Sequence, residues 1–257
     1  MLVAVLVAGV WELSVWYFEI PKILLPTPRQ ILWQVWASGR ELVTATAWTG
    51  FAAAIGLGVS IAVGSLLGTL FSLSRWMHRG VYPYVVFLQT IPIVAIAPLI
   101  IVWCGYGMQS VVFVSMLLSL FPIVSNVTSG LMRLDANHRD LFRLYGAGWG
   151  QRLWRLQFPS AVHALMQGVK VSSGLAVIGA IVGDFFVSTG ASGSSSGWDY
   201  LGLGTLMMIW VNRAQTDRIF AGLVAGSLLG ILFYGIVVLV ADGMLRRYTD
   251  VDRAAAG

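Results

Sequence analysis

Between Gly80 and Met132 the chain carries no Asp, Glu, Lys or Arg, and a second uncharged run extends from Leu42 to Ser74. A surface facing water needs charge every few residues, and a soluble domain devotes about 25% of its residues to it. Here charged residues are 11% of the chain, apolar residues 58%, and the mean hydropathy is +0.81. The runs exclude a soluble fold and imply a polytopic, all-α membrane protein, because only helices and closed barrels satisfy their backbone in hydrocarbon. One cysteine, Cys104, excludes an internal disulfide. Three scattered histidines argue against a histidine metal site.

A spanning helix needs roughly 20 predominantly apolar residues. Six segments are expected to supply one. The first is Met1 to Ile20, interrupted by Glu12 and Glu19 and lacking the basic start and small-residue cleavage site of a signal peptide. The second is Leu42 to Ser74. The run from Gly80 is too long for one crossing, and Gly105-Tyr106-Gly107 divides it into a third span over 81–104 and a fourth over 110–132. The fifth covers Ser160 to Asp184 and the sixth Ile219 to Val240. Leu25-Pro26-Thr27-Pro28 reads as a rigid turn, and residues 28–41 as an amphipathic interfacial segment with Ile31, Leu32, Val35 and Trp36 on one face. A Ser/Gly-rich loop, 188–197, and a further polar stretch precede the sixth span. The whole chain, 1–257, is read as one transmembrane domain.

Basic residues set the orientation, since cytoplasmic loops carry an excess of Lys and Arg. With the N-terminus inside, the inner segments hold Arg75, Arg79, Arg133, Arg139, Arg143, Arg152, Arg155, Arg246, Arg247 and Arg253. The outer ones hold only Lys22, Arg29, Arg40, Arg213 and Arg218. Both termini are therefore expected in the cytoplasm. The net charge of +5 is accounted for by topology, with no need of a nucleic-acid partner.

The cytoplasmic segment 133–159 has a pattern of its own. Leu141, Leu144 and Tyr145 recur at helical spacing, as do Leu153, Leu156 and Gln157, and Gly146, Gly148 and Gly150 stand between them. Glycine permits the positive φ of a sharp turn, and Pro159 suits the first turn of a following helix. The expected shape is helix, turn, helix, an apolar knob with an arginine rim. A soluble partner could grip such a knob.

This segment resembles the cytoplasmic signature of ABC importer permeases, Glu-Ala-Ala, three residues, Gly, nine residues, Ile-x-Leu-Pro. Asp140-Leu141-Phe142 occupies its first positions, Gly146 follows at the family's spacing, and Leu156-Gln157-Phe158-Pro159 closes it. Asp replaces Glu, and two bulky residues replace the alanines. Trp11-Glu12, Leu25-Pro26-Thr27-Pro28, Ile91-Pro92, Ala97-Pro98-Leu99, Trp103-Cys104-Gly105-Tyr106-Gly107, Gly168-Val169-Lys170 and Asp184 also look like the branch that handles nitrate, sulfonates, taurine, bicarbonate and thiamine-precursor pyrimidines. The resemblance implies a type I importer permease fold in the bacterial cytoplasmic (inner) membrane. It further implies two partner ATPase subunits, a second permease chain (read here as a homodimer) and an extracytoplasmic solute-binding protein.

No Gly-x4-Gly-Lys-Ser/Thr loop is present, so the chain does not cradle ATP phosphates itself. It is read as a transport subunit rather than an enzyme, with no cofactor of its own and with ATP and Mg on the partner. A stand-alone secondary transporter or channel is the alternative, although among carboxylates expected deep in the spans only Glu12 could couple an ion. Lys170 lies near mid-membrane, where a charge either serves the pathway, pairs helices or snorkels. Asp184 ends its span, so a pathway role and simple solvation outside both fit. Pro92 and Pro98 break the third span, which suits either a pathway wall or packing. The pentapeptides Gly64-Ser65-Leu66-Leu67-Gly68 and Gly226-Ser227-Leu228-Leu229-Gly230 suit close helix packing. Where anion-carrying members of that branch often show an Arg-Ala-Trp cluster, the apolar stretch 174–183 looks more like members importing a small, largely uncharged heterocycle, such as a thiamine-precursor pyrimidine or a flavin, with nitrate, sulfonate or taurine as competitors.

Overall fold

The computed structural model describes residues 2–132, 158–188 and 201–254. Its helices are α1 (Leu2–Tyr17), α2 (Pro28–Ala37), α3 (Gly39–Leu73), α4 (Arg75–Gly80), α5 (Tyr82–Leu88), α6 (Ile93–Cys104), α7 (Met108–Met132), α8 (Phe158–Ser188), α9 (Leu203–Asn212) and α10 (Thr216–Ala254). Four of them are long and apolar enough to cross a membrane: α3, α7, and the apolar parts of α8 and α10, Ala161–Ser188 and Thr216–Leu245.

The expectation of six such helices is corrected to four. Helix α1 has 16 residues, short of a full span. The segment 81–104 is not one helix, because Pro92 interrupts it. Proline has no N–H to donate and disfavours helical backbone in the residue before it, so α5 ends at Leu88 and α6 begins at Ile93. One smaller expectation also changes. Residues 39–41 open α3 rather than closing the interfacial segment. In α2, Ile31 is buried against the rest of the chain, while Leu32 and Trp36 are exposed on its surface.

Helix α7 is the centre of the bundle, held between α3 and α8 by small residues. Moving down α3, a Cβ on Gly56, Gly64 or Gly68 would meet Ser115, Ile123 or Val127 of α7. Both series ascend together, so α3 and α7 run parallel, and the chain between them returns along the bundle through the broken pair α5–α6. On an adjoining side Gly168, Gly179 and Gly183 of α8 approach the α7 backbone at Ile123, Ser115 and Val111, an antiparallel match. In lipid no hydrophobic drive pulls helices together, so close backbone approach and interhelical hydrogen bonds supply the attraction. Those bonds are present. Ser60 donates to the Met116 carbonyl at 2.7 Å, Ser115 to Ala176 at 2.9 Å and Ser172 to Ser119 at 2.7 Å. Ala52, Ala53, Leu57, Val111, Ile123, Ala176 and Ala180 fill the remaining core.

The ends of the elements follow local rules. Thr27 and Gln30 form a reciprocal capping box at the start of α2, with Pro28 in its first turn. Gly105, at φ +87°, takes the left-handed conformation that stops α6 and lets α7 begin three residues later, as the Gly-Tyr-Gly motif implied.

Candidate functional site

Two polar junctions join helices of the bundle, the first buried and the second part-exposed. The first lies where α3, α8 and α9 meet. Asp184, fully buried on α8, accepts the Thr49 hydroxyl at 2.6 Å, and its backbone carbonyl accepts the Thr205 hydroxyl at 2.9 Å. Thr49 in turn accepts the Leu203 N–H at 2.8 Å. That N–H belongs to the first turn of α9, a helix end with no side-chain cap of its own; Thr49 supplies the acceptor from another helix. The Asp184 carboxylate lies so close to the start of α9 that a Cβ on Gly202 would collide with it. One on Gly204 would strike the Ile181 carbonyl and Asp184 Cβ. An anion at the positive end of a helix dipole is favourably placed. Burying a carboxylate is costly unless its oxygens are bonded, and here the neighbouring chain is arranged around it. The reading of Asp184 as a solvated helix end is therefore corrected.

The second junction joins α8 to α10. Lys170 Nζ lies 2.6 Å from Asp242 Oδ1, the lysine side chain 18% and the aspartate 48% exposed. The charge has its partner within the same chain. Pro92 caps the start of α6 and Pro98 lies within it, and both are exposed on the single chain. The structure thus does not bring the four candidates together. Lys170 and Asp184 sit in separate junctions, and the two prolines are on a third surface.

Of the coupling-loop residues, Phe158 and Pro159 open α8. Asp140, Leu141, Phe142, Gly146 and Leu156 lie outside the described residues, as does the serine loop after Ser188, which ends α8. Three features escaped the sequence. Thr49 is one of several threonines in an apolar helix and carries no distinguishing signal. Asp242 falls beyond an apolar run that breaks off at Val240, yet α10 continues through it. Helix α9 lies inside what reads as a polar stretch, and its Leu203, Leu206, Met207 and Trp210 are buried. The Gly202-Leu203-Gly204 triplet ahead of seven further residues, mostly apolar, was the available clue.

Comparison with known proteins agrees with this architecture. The chain is 34% identical over 229 residues to the formylaminopyrimidine transport permease protein ThiX of Halalkalibacterium halodurans, covering 89% of this chain and 87% of that protein. It is 30% identical over 244 residues to the riboflavin transport system permease protein RibX of Chloroflexus aurantiacus, covering 92% and 83%. With the taurine transport system permease protein TauC of Escherichia coli it shares 22% identity, over 86% of this chain and 80% of that one. Residues 54–249, which take in both junctions except Thr49, match the family described as binding-protein-dependent transport system inner membrane component. The chain belongs to that family: it is a multi-pass ABC importer permease subunit of the inner membrane.

Proposed function

We propose that two copies of this chain form the solute path of an ATP-driven importer for a small, largely uncharged heterocycle of the thiamine-precursor pyrimidine kind. An extracytoplasmic binding protein delivers the solute, and two ATPase subunits dock on the 133–159 segments. In this reading both termini are cytoplasmic and residues 28–41 rest near the outer membrane surface.

The observation that carries the substrate class is the 34% identity, over most of both chains, to a permease named for formylaminopyrimidine. The charge distribution supports it. An oxyanion crossing a dry constriction needs a fixed donor or cation to replace water. Lys170 is bonded to Asp242, and residues 174–183 of α8 offer no charge. Neutral heterocycles make no such demand.

The test is uptake by the complete importer in proteoliposomes. Competition by pyrimidines and flavins, without effect from nitrate, taurine or an alkanesulfonate, is the expected result. Uptake of nitrate or a sulfonate with no response to heterocycles overturns the substrate class.

A further inference from the structure

We propose that the crevice where α1, α2 and α10 meet binds an anionic glycerophospholipid. The site has two adjoining parts of opposite character. A cavity of about 550 Å³ is lined by Lys22, Arg29, Gln30, Trp33, Thr216 and Asp217, among others. Beside it a groove of about 540 Å³ is walled by Trp11, Ile31, Leu32, Phe220, Leu223 and Leu228, with little polar surface. The two share no lining residue, but they neighbour each other along one face of α10, with Thr216 and Asp217 in the cavity and Phe220, Leu223 and Leu228 in the groove. The crevice's upper wall is fastened, since Thr216 donates its hydroxyl to the Ile23 carbonyl at 2.6 Å. Lower down, the rings of Trp11 and Phe220 meet at 6.0 Å.

Depth fits a lipid. The apolar part of α10 begins at Thr216, which places the polar cavity at a membrane boundary. Phe220, Leu223 and Leu228 follow one to three turns further in, at 1.5 Å per residue. The groove also faces outward, because Leu32, Leu223 and Leu228 are exposed on the chain's surface at 68%, 50% and 53%. A solute in transit would use the bundle interior, whereas a molecule here sits at the hydrocarbon side. An aromatic ring such as Trp33 at headgroup level is a usual membrane-boundary feature.

Charge selects the kind of lipid. Among the described residues neither Lys22 nor Arg29 enters an ion pair. Asp217 Oδ1 accepts the Arg218 N–H at 3.0 Å at the start of α10. The cavity is left with one net positive charge and two free cationic donors, the complement of a phosphodiester. Below it, Trp11 Nε1 is buried with no hydrogen-bond partner. A fatty-acyl ester, positioned between phosphate and tail, brings a carbonyl acceptor to that level.

The experiment is native mass spectrometry of the full chain in detergent, titrated with phosphatidylglycerol, phosphatidylethanolamine or inorganic phosphate, with thermal stability read in parallel. Phosphatidylglycerol should be retained and should stabilise the protein. Lys22→Gln with Arg29→Gln should weaken it about thirty-fold, from the usual contribution of two basic residues at a charged membrane surface. Leu228→Trp should block the groove and reduce lipid retention while both cations remain. The wild-type comparison needs no variant to fold. Equal retention of the two lipids overturns the charge selection. Equal protection by inorganic phosphate overturns the lipid, and a disulfide between two copies carrying Leu223→Cys shows that protein covers the groove instead.

Discussion

Thr49 on α3 and Asp184 on α8 are 135 positions apart in sequence, yet the threonine hydroxyl approaches the carboxylate to 2.6 Å inside the bundle. The same hydroxyl accepts the Leu203 N–H, so one oxygen ties α3 to both α8 and the first turn of α9. The Ala45 carbonyl, at 3.1 Å, is its other acceptor within α3. A helix of ten residues has little stability alone. Helix α9 is held by burial of its apolar side and by this junction at its N-terminus.

Thr49→Val removes the hydroxyl at nearly constant volume. It leaves the Leu203 N–H without its acceptor and takes the Thr49 hydroxyl away from Asp184. Each buried group left unsatisfied costs about 1–3 kcal/mol, so the variant should melt clearly below wild type in detergent, while Thr49→Ser should recover most of the loss. Indistinguishable melting of the Val and Ser variants would show that the hydroxyl contributes nothing.

Gly202→Ala tests the same junction from α9. The added methyl collides with the Asp184 carboxylate, and overpacking of this kind costs about 1–3 kcal/mol. Shortening the aspartate makes room, so Gly202→Ala combined with Asp184→Ala should be less destabilised than the two single effects added. Contacting residues commonly show such coupling. Strict additivity across the four proteins would mean that Gly202 is needed for another reason.

Lys170 and Asp242 separate pairing from passage. If the ion pair only joins α8 to α10, Lys170→Met with Asp242→Leu should keep transport, because two apolar residues replace two charges that cancel. Asp242→Leu alone should be the worse protein, leaving a mostly buried ammonium unpaired. With Asp242 half exposed, solvent screening keeps that cost to about 1 kcal/mol. Transport lost in the double variant at normal abundance and melting temperature would instead assign Lys170 to the pathway.

How far the sequence could be read depended on what its periods report. Uncharged runs mark hydrocarbon, so α3, α7 and α8 were legible nearly to their ends, and α10 through most of its apolar part. Gly105 was legible because a glycine flanked by apolar runs signals a stop. The break at Pro92 was also visible, yet the length of the run around it outweighed the proline, and one span was expected where two short helices stand. Asp184 shows the opposite limit. A carboxylate at the end of an apolar run looks solvated, and only packing reveals that Gly202, Gly204 and Thr49 close over it. Asp242 was missed because charge was used to end the span, although a charge with a partner does not end a helix.

Topology is tested by labelling in a background without Cys104. The proposed topology, drawn from the arginine distribution, has the serine loop outside and residues 133–159 inside. A cysteine introduced by Ser194→Cys should react with an impermeant thiol reagent on intact cells. One introduced by Gln151→Cys should react only after lysis. The reverse pattern would invert the protein and move the proposed ATPase contact to the wrong side of the membrane.

Gly146 carries the coupling proposal. In the proposed coupling its place between two short apolar repeats, thirteen residues before Pro159, is the turn between the 139–145 and 151–157 segments that lets them seat in an ATPase. A β-branched side chain in a left-handed turn costs on the order of 1–2 kcal/mol, enough to move the knob without unfolding a bundle whose packing lies in α3, α7 and α8. Gly146→Val should therefore insert and melt normally, fail to co-purify with the ATPase, and lose transport, while Gly146→Asn should retain part of both, since asparagine tolerates positive φ. Normal co-purification of the Val variant would remove Gly146 from the interface. Failure of Val and Asn alike would point to the space that glycine leaves there, rather than to the turn it allows.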